Sequence, residues 1–351
     1  MTIFDVINAE ALEVYYNDIY QRDREPYETE ELFDERQKLG LGLKWLITSG
    51  NAPKPLKNSA FDVAAIPRKR IGLSMATADM PYFKESMYID EELRQQLNMV
   101  IESGNTMMVQ AIVRDIFNDE MPLIESAAVT RERMRTMLIS TGVIALENNG
   151  QVYTYDYGLP NNHKVTVAKA WSDPDADILG DIDKGIQQIQ TDEGVTVTRA
   201  MCSSKVLSYM RKNKAIKGTL LALSDGQGVL TTARIKEYLM TEYGLEIVTH
   251  DKRYEDETET LQRFIEDDLF ILLPSGKLGT FWFGTTPEQS DLQTSGVANV
   301  RIVDTGVAVT TIPSTDPVTV ETKVTQICLP TCPVIKQIYI MDVSGTKTEG
   351  V

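Results

Sequence analysis

Apolar residues recur at helical spacing in the second quarter of the chain and predict three helices there. The first begins at Asp90 and ends at Gly104, and a short second helix follows it. The third begins at Asp119, whose carboxylate can cap it; it tolerates Pro122 in its first turn and ends near Gly142. The apolar stripes of these helices consist of Leu93, Leu97, Val100, Ile101, Met108, Ile112, Ile116, Leu123, Ala127, Met134 and Leu138.

A β-hairpin and a mixed helix–strand region follow. Residues 143–147 and 151–157 are typical of strands, and they flank Asn149-Gly150, a dipeptide that favours tight hairpin turns. Residues 174–290 combine helical stripes with short apolar runs, which predicts an α/β unit. A strand is expected before this unit, at 164–171. Within the unit, helices are expected at 178–194, after Ser203 or Ser204, and at 232–243. Strands are expected there at 195–201, 245–249 and 269–273.

The two ends of the chain differ from its middle. Residues 1–44 show no sustained core periodicity, so we expect an arm that needs other chains to pack against. Residues 45–85 contain four prolines and the basic triplet Arg68-Lys69-Arg70, which predicts an extended loop or hairpin that leaves the body of the molecule. Beyond residue 290 the pattern consists of short strands, expected at 297–303, 307–312, 318–327 and 335–343.

Composition and charge narrow the class of protein. The 351 residues, 42% of them apolar, suit roughly two globular domains. The formal net charge of −16 argues against nucleic-acid or anionic-membrane binding through the bulk surface. There is no uncharged apolar run long enough to span a membrane and no basic segment typical of a secretory signal. With three cysteines, too few for a disulfide framework, we expect a soluble, reduced protein made inside the cell.

Candidate metal ligands do not complete a site in the sequence. Cys328 and Cys332 have the spacing of half a zinc site, but no nearby histidine or cysteine supplies the other half, so we expect two partly buried thiols. The two histidines, His163 and His250, lie far apart in the sequence. Residues 173–177 begin like a calcium loop, but the required glycine and glutamate are replaced by Ile178 and Lys184, which favours a helix N-terminus instead.

The tripeptide Asp304-Thr305-Gly306 is the sharpest catalytic candidate. Aspartic proteases use a tripeptide of this type to place one of two carboxylates that share a proton. A second copy, or a dimer of small domains, would be needed for that chemistry. The alternative, which we favour, is a turn between two strands in which the glycine adopts a positive φ.

Two charged clusters are further candidates for contacts. Arg211, Lys212, Lys214 and Lys217 are predicted at the end of one helix, and an acidic run occupies residues 255–259. The basic cluster could bind phosphate or an acidic neighbouring subunit, although a solvated helix end is the simpler interpretation.

Several unusual segments resemble one protein family. They are Tyr254, Phe264-Ile265, Asp268, the apolar run 269–273 and the glycine–aromatic segment 279–288; the stretch 123–144 that enters the Asn149-Gly150 hairpin; and Asn58-Ser59-Ala60-Phe61 through Pro67-Arg68-Lys69. These segments are similar to the lambda-type major capsid proteins of tailed phages, the capsid protein E family. The resemblance spans about residues 40–345, and the preceding arm is too divergent to contribute.

The resemblance implies an α+β protein with the Hong Kong 97-type phage capsid fold. A long helix would be the spine of a peripheral domain, and the α/β region would be an axial domain that meets its copies at five-fold and six-fold axes. The expected divisions are an N-terminal arm (1–44), an extended loop (45–85), the peripheral domain with spine helix and hairpin (86–173), the axial domain (174–290) and return strands of the peripheral domain (291–351).

The implied function is that of a major capsid protein, which self-assembles into the icosahedral head shell enclosing phage double-stranded DNA. The implied partners are its own copies, as hexamers and pentamers, with a scaffolding protein, a portal, a decoration protein and non-specifically held DNA, but no membrane. We expect assembly in the host cytoplasm, location in the virion, and no catalytic residue, metal site or cofactor. Two alternatives remain: an aspartic-type hydrolase that uses Asp304, and a structural protein of the tail or adaptor.

Overall fold

The computed structural model describes residues 7–20, 24–47, 74–89, 91–102, 104, 106–148, 151–222, 230–256, 258–293, 298–315 and 318–345. The chain forms two compact units, each assembled from three separate stretches of sequence. Unit 1 consists of Met1–Leu43, Thr77–Arg133 and Thr280–Thr331; unit 2 consists of Lys44–Ala76, Met134–Gly279 and Cys332–Val351.

Helices and strands are both abundant in the described residues. The α-helices are α1 (Ala9–Tyr15), α2 (Glu91–Glu102), α3 (Thr106–Thr141), α4 (Ile178–Glu193), α5 (Ser204–Lys212), α6 (Lys214–Ala222) and α7 (Thr232–Tyr243). Single 3₁₀ or π turns lie at Tyr16–Tyr20, Glu30–Leu32, Asn161–His163, Glu288–Leu292 and Ile335–Gln337. None of the described helices is both long enough and apolar enough to cross a membrane.

The strands are numbered in chain order. They are β1 (Phe33–Gln37), β2 (Gly42–Ile47), β3 (Ser74–Asp79), β4 (Tyr82–Tyr88), β5 (Val143–Asn148), β6 (Gln151–Asp156), β7 (Lys164–Thr166), β8 (Val197–Cys202), β9 (Glu246–Thr249), β10 (Arg253–Glu255), β11 (Leu261–Arg263), β12 (Leu269–Pro274), β13 (Gly279–Phe283), β14 (Asn299–Asp304), β15 (Val307–Thr315), β16 (Val318–Thr331) and β17 (Tyr339–Asp342).

Unit 1 is organised around one long strand, β16. Its sheet has the order β1-β13-β16-β15-β14, and β4 pairs with the first half of β16 on the same edge that β13 occupies further along. Neighbouring strands along the path from β13 to β14 are antiparallel. Residues 321–326 of β16 are paired along both edges, so their backbone polar groups are satisfied within the sheet.

Helix α1 is buried in the core of unit 1, which corrects the expectation that residues 1–44 need other chains for packing. Asn8 caps the helix by accepting a hydrogen bond from the Ala11 amide at 2.9 Å. Ile7, Leu12 and Tyr16 are each at most 2% exposed and pack in the cluster that contains residues of α3 and the sheet. A helix of seven residues is too short for its apolar spacing to stand out as a period.

Helix α3 is a single element of 36 residues, which corrects the prediction of a short helix followed by a new one at Asp119. Pro122 therefore lies inside the helix. A proline in that position loses one backbone hydrogen bond and crowds the preceding turn. The helix continues because apolar residues on both sides of the proline, among them Phe117, Met121 and Ile124, are buried in the same core.

Unit 2 contains a five-stranded sheet with the order β7-β17-β12-β8-β9. Its central strand β12 is buried along its whole length and is antiparallel to both neighbours, whereas β7 and β9 pair in parallel at the two edges. Apolar residues of α4, α5 and α7 pack in the same core cluster as residues of the sheet. The last strand of the chain, β17, therefore belongs to the sheet of unit 2.

Most local predictions in unit 2 are confirmed. Helix α4 ends at Gly194 in the left-handed conformation, and Ser203 caps α5. Strands β5 and β6 form the predicted hairpin, although Asn149-Gly150 lies outside the described residues. The strand predicted at 164–171 is shorter, since only β7 forms a ladder. The basic cluster is divided between two helices, because α5 ends at Lys212 and α6 begins at Lys214.

The turn between β14 and β15 leads to a test of packing in unit 1. Gly306 has φ +69°, and a Cβ atom built on it would lie 2.6 Å from Cβ of Phe283. We expect Gly306→Ala to lower the free energy of unfolding by roughly 2–4 kcal/mol, from left-handed strain plus overpacking. Gly40 is the matched control, because it has φ +84° but open space around it, so Gly40→Ala should cost only about 1–2 kcal/mol. Equal losses in denaturant unfolding would contradict the packing argument.

Candidate functional site

Asp304, the catalytic candidate of the sequence, is the last residue of β14, just before the turn to β15, and it is bound to Arg131. The Oδ2 atom of Asp304 accepts a hydrogen bond from Nη2 of Arg131 at 2.6 Å. The Arg131 side chain projects from α3 and is only 4% exposed, and its guanidinium carbon lies 5.7 Å from the centre of the Phe283 ring. The turn is thus anchored to α3 by a largely buried ion pair.

This ion pair determines the protonation of Asp304. Burial raises the pKa of the carboxyl group, but the charge and hydrogen bond of Arg131 outweigh burial, and the pKa falls below its ordinary value of 3.8. A shared-proton dyad needs a second carboxyl group in contact, and within the part of the chain that is described no such group bonds to Asp304. The turn interpretation, with positive φ at Gly306, is confirmed, and the hydrolase alternative finds no support.

A second buried carboxylate joins three segments of unit 1. Glu288 begins the π turn after β13, and its side chain is 5% exposed. It receives hydrogen bonds from Lys323 at 2.8 Å, from Tyr82 at 2.9 Å and from Thr325 at 3.2 Å. Burial raises the pKa of Glu288, but the hydrogen bonds of Lys323 and Tyr82, with Lys323 first, and the charge of Lys323 lower it below the usual value. Because Tyr82 lies 206 positions away in the sequence, no local signal could have identified this cluster.

A third buried carboxyl group lies between α3 and β16. Glu120 is 2% exposed, and its Oε1 accepts a hydrogen bond from Thr322 at 2.8 Å. Burial raises the pKa of Glu120 to about 7, which the Thr322 hydroxyl only partly offsets. Near neutral pH the group is therefore poised between its acid and its carboxylate forms. Because a helix boundary was predicted at Asp119, the burial of Glu120 was not predicted.

The remaining candidate residues are buried or engaged in local contacts. Cys328 and Cys332 are fully buried, not partly buried as expected, and burial raises the pKa of the Cys332 thiol to about 12. In the calcium-like segment, Asp177 caps α4 through the Gly180 amide, as predicted, and Asp175 forms an ion pair with Lys214 at 2.8 Å. Both histidines are fully buried in unit 2.

The two charged clusters are exposed. Of the basic residues, Arg211, Lys212 and Lys217 are exposed, while Lys214 is engaged by Asp175. Most of the acidic run forms the tip of the hairpin β10–β11, where Asp256 accepts hydrogen bonds from the amides of residues 258 and 260 and its pKa is lowered. The triplet Arg68-Lys69-Arg70 and the similar segment 58–69 lie outside the described residues.

Large apolar side chains are also exposed in several places. They include Leu39 at 84%, Met107 at 81%, Met99 at 64%, Val152 at 63% and Tyr88 at 60% exposure. Single exposed apolar residues are ordinary, but large exposed patches commonly mark sites of protein association. These side chains, together with the charged clusters, are the candidate contact surfaces of the described residues.

The fold has been seen before in phage capsid proteins. A prophage protein of E. coli CFT073, described as a capsid protein, matches with a TM-score of 0.63 and 16% identity over 96% of this chain and 99% of its own. A phage-related protein of Bordetella bronchiseptica RB50 gives a TM-score of 0.55 and 13% identity over 97% and 98%. The capsid protein of Cyanophage A-1(L) gives 0.50 and 10% over 90% and 92%.

The fold is therefore that of Hong Kong 97-like phage capsid proteins. The chain belongs to the family described as phage major capsid protein E, whose model matches residues 48–343, and it is a shell-forming capsid protein of the virion. No curated protein sequence matches it significantly. The resemblance found in the sequence is thus confirmed, and so is the predicted fold class.

The anchor at Asp304 can be tested by breaking it. Asp304→Asn leaves the Arg131 guanidinium buried without a counter-charge, so we expect a loss of roughly 3–5 kcal/mol in the free energy of unfolding at pH 7. The double variant Arg131→Met/Asp304→Leu should lose less than either single variant. As control, Arg301→Met removes two surface pairs, with Glu10 and Glu13, and should cost less than about 1 kcal/mol. Additive losses at Arg131 and Asp304 would contradict a coupled buried pair.

The raised pKa of Glu120 predicts a pH dependence. Because the folded-state pKa of about 7 lies above the unfolded value, the protein loses stability as pH rises from about 4.5 to 7. Glu120→Gln removes the cost of ionisation, so it should raise the melting temperature at pH 8 and have little effect near pH 4.5. The gain at pH 8 should be at most about 3 kcal/mol, the value of the shift. A variant that is destabilised equally at both pH values would contradict this assignment.

Proposed function

We propose that this chain forms the icosahedral head shell of a tailed phage, assembling as hexamers and pentamers around double-stranded DNA without turning over a substrate. The observation that carries the proposal is the family match over residues 48–343. It is supported by the similarity of the fold to the prophage capsid protein, with a TM-score of 0.63. The buried carboxylates agree with a structural role, since each is bound by partners within its own unit. A closed shell requires contacts between copies that repeat and close.

The proposal includes the partners that such a shell needs. A scaffolding protein, a portal and a decoration protein would join the shell, and assembly would take place in the host cytoplasm. DNA would be held non-specifically, and the net charge of −16 supports a container that does not bind its contents tightly. The proposed divisions are an arm (1–44), an extended loop (45–85), a peripheral domain (86–173 with 291–351) and an axial domain (174–290). Two exceptions follow from the fold: α1 packs in the core of unit 1, and β7 and β17 belong to the same sheet as β8, β9 and β12 of the axial domain.

Electron microscopy separates this proposal from its alternatives. The chain is expressed with and without its gene neighbours and examined by negative stain. Closed shells are expected. Rings or tubes would favour a tail or adaptor protein instead. Proteolysis that is inhibited by pepstatin and lost in Asp304→Asn would support the hydrolase and contradict the proposal.

Two surfaces of unit 2 have the charges needed for a contact between copies. The exposed cations Arg211, Lys212 and Lys217 form a basic surface, and the exposed Glu255 and Glu259 lie at the hairpin β10–β11. A surface of one sign on one copy and of the other sign on the next gives a head-to-tail contact that can repeat around an axis. We include this pairing in the proposed function.

Charge reversal tests the pairing. Lys212→Glu should raise the concentration needed for assembly about five-fold, equivalent to about 1 kcal/mol per contact, and Glu259→Lys in the same chain should restore assembly. Lys184→Gln is compared with Lys212→Gln as the control, because Lys184 is an exposed lysine of α4 outside the basic surface whose single recorded pair is with Asp181 on its own helix. If Lys212→Glu assembles as the unmodified chain does, as measured by light scattering, this contact does not exist, while the shell function would stand.

A further inference from the structure

The sheet of unit 1 ends in two strands whose outer edges have no strand partner among the described residues. Strand β4 pairs with β16, and β14 pairs with β15, each along one edge. Every residue from Lys84 to Tyr88 is exposed, including Met87 at 39% and Tyr88 at 60%. An outer edge of this kind presents backbone N–H and C=O groups that can pair with another extended chain.

The register shows which backbone groups of β4 point outwards. The amide of Ile89, one residue beyond β4, donates to the carbonyl oxygen of Val320 in β16 at 3.2 Å. The residues of an antiparallel strand alternate in the direction of their backbone groups, and the pairing of β4 with β16 has no register shift. The odd-numbered residues of β4 therefore bond to β16, whereas the backbone groups of its even-numbered residues point away from the sheet.

The same alternation can be followed across the sheet to β14. Glu85 lies opposite Val324 of β16, which lies opposite Val309 of β15. Val309 in turn lies opposite Arg301 of β14, so Glu85 and Arg301 end one row of side chains on the same face of the sheet. Because Glu85 bonds to β16, alternation makes Arg301 bond to β15. The two neighbours of Arg301 along β14 therefore have backbone groups that point outwards.

The two outer edges are complementary to each other. Strand β4 has seven residues, β14 has six, and the two run antiparallel within the sheet. When the sheet of one copy is continued into a second copy along the same rows, Glu85 meets Arg301 of that copy. Opposite charges that face each other across two strands are favourable, whereas like charges are not. In this alignment the outward backbone groups of β4 also meet the outward backbone groups of β14.

Both charged side chains are accessible for such a contact. Arg301 forms surface ion pairs with Glu10 at 3.1 Å and Glu13 at 3.6 Å, and its side chain remains 39% exposed. A guanidinium group has five N–H donors, so it can bind a further carboxylate. Glu85 is exposed and has no side-chain partner in the described part of the chain.

We propose that β4 of one copy pairs antiparallel with β14 of a second copy, with Glu85 opposite Arg301, so that the sheet of unit 1 continues from copy to copy. The contact rests on the proposed function, since it needs neighbouring copies, but its surface is separate from the charged pairing in unit 2. The two edges differ, so the contact is head-to-tail and can repeat. Adjacent Lys84 and Glu85 leave β4 without a net charge, which favours an extended polypeptide over a phosphate backbone as its partner.

Amide hydrogen exchange tests the pairing at single residues. In the unassembled chain, the outward amides of Ser86 and Val300 should exchange rapidly, whereas those of Glu85 and Arg301 should be protected by bonds within the sheet. In assembled particles, exchange at Ser86 and Val300 should slow by about 100-fold or more, because each amide gains a carbonyl partner. Glu85 and Arg301 should stay protected in both states.

The outcomes separate this contact from the shell function. Particles in which Ser86 or Val300 exchanges as fast as in the unassembled chain would overturn the pairing and leave the shell function standing. Protection of either amide before assembly would also overturn it, because that edge would already be occupied. A chain that never forms particles would overturn the proposed function and the pairing together.

Variants of β4 test the backbone part of the contact. Ser86→Pro removes an outward N–H group and none of the bonds to β16, so the chain should fold, as circular dichroism would show. It should need about ten-fold more protein for assembly, measured by light scattering. Ser86→Ala is the matched control, because it keeps the N–H group and should assemble as the unmodified chain does.

A double-variant cycle tests the side-chain part. Glu85→Gln and Arg301→Met should each raise the concentration needed for assembly about three-fold, and the double variant should raise it no further, because both remove the same pair. Effects of the two substitutions that multiply, or a folded Ser86→Pro chain that assembles as Ser86→Ala does, would overturn the proposal.

Discussion

Unit 1 depends on how the polar groups of one long strand are satisfied away from water. The backbone of β16 pairs on both edges, and its side chains carry further hydrogen bonds to two sides of the sheet. Thr322 and Gln326 bind groups of α3, whereas Lys323 and Thr325 bind Glu288. A buried polar group left without a partner costs free energy, so these contacts specify the register of β16 against the helix and the turn. The position of each neighbouring element follows from that register.

The distribution of charged groups in the described residues agrees with a shell-forming role. The carboxylates that a hydrolase would need are occupied: Asp304 by Arg131, and Glu288 by Lys323 and two hydroxyl groups. Glu120 has the raised pKa typical of a catalytic acid, but it is 2% exposed beneath β16. Among the described residues, charged clusters and several large apolar side chains are exposed. Groups of these kinds occur in contacts between proteins, and the chain belongs to a family of phage major capsid proteins.

The sequence predicts local features well where the physics is local. The cap at Ser203 and the turn after Asp304 depend on neighbouring residues, and both are found. Prediction from the sequence fails where contacts between residues far apart in the chain determine the structure. From the sequence, Pro122 is expected in the first turn of a helix, because the buried core on both sides of it is not visible there. Helix α1 is too short for its apolar residues to show a helical period. Glu288 lay in a segment that resembles the family, yet its role could not be inferred, because its partners come from strands that only the fold brings together.

The central claim is that this polypeptide functions by self-assembly, in which copies of the chain contact one another to form a closed shell. The most direct measurement is the mass distribution of the chain, expressed with its gene neighbours, by mass photometry and sedimentation. The account predicts a discrete population of closed particles far heavier than the 39.3-kDa chain, with subunits in constant number per particle. A single species at the mass of one chain, under conditions in which related shells form, would contradict it.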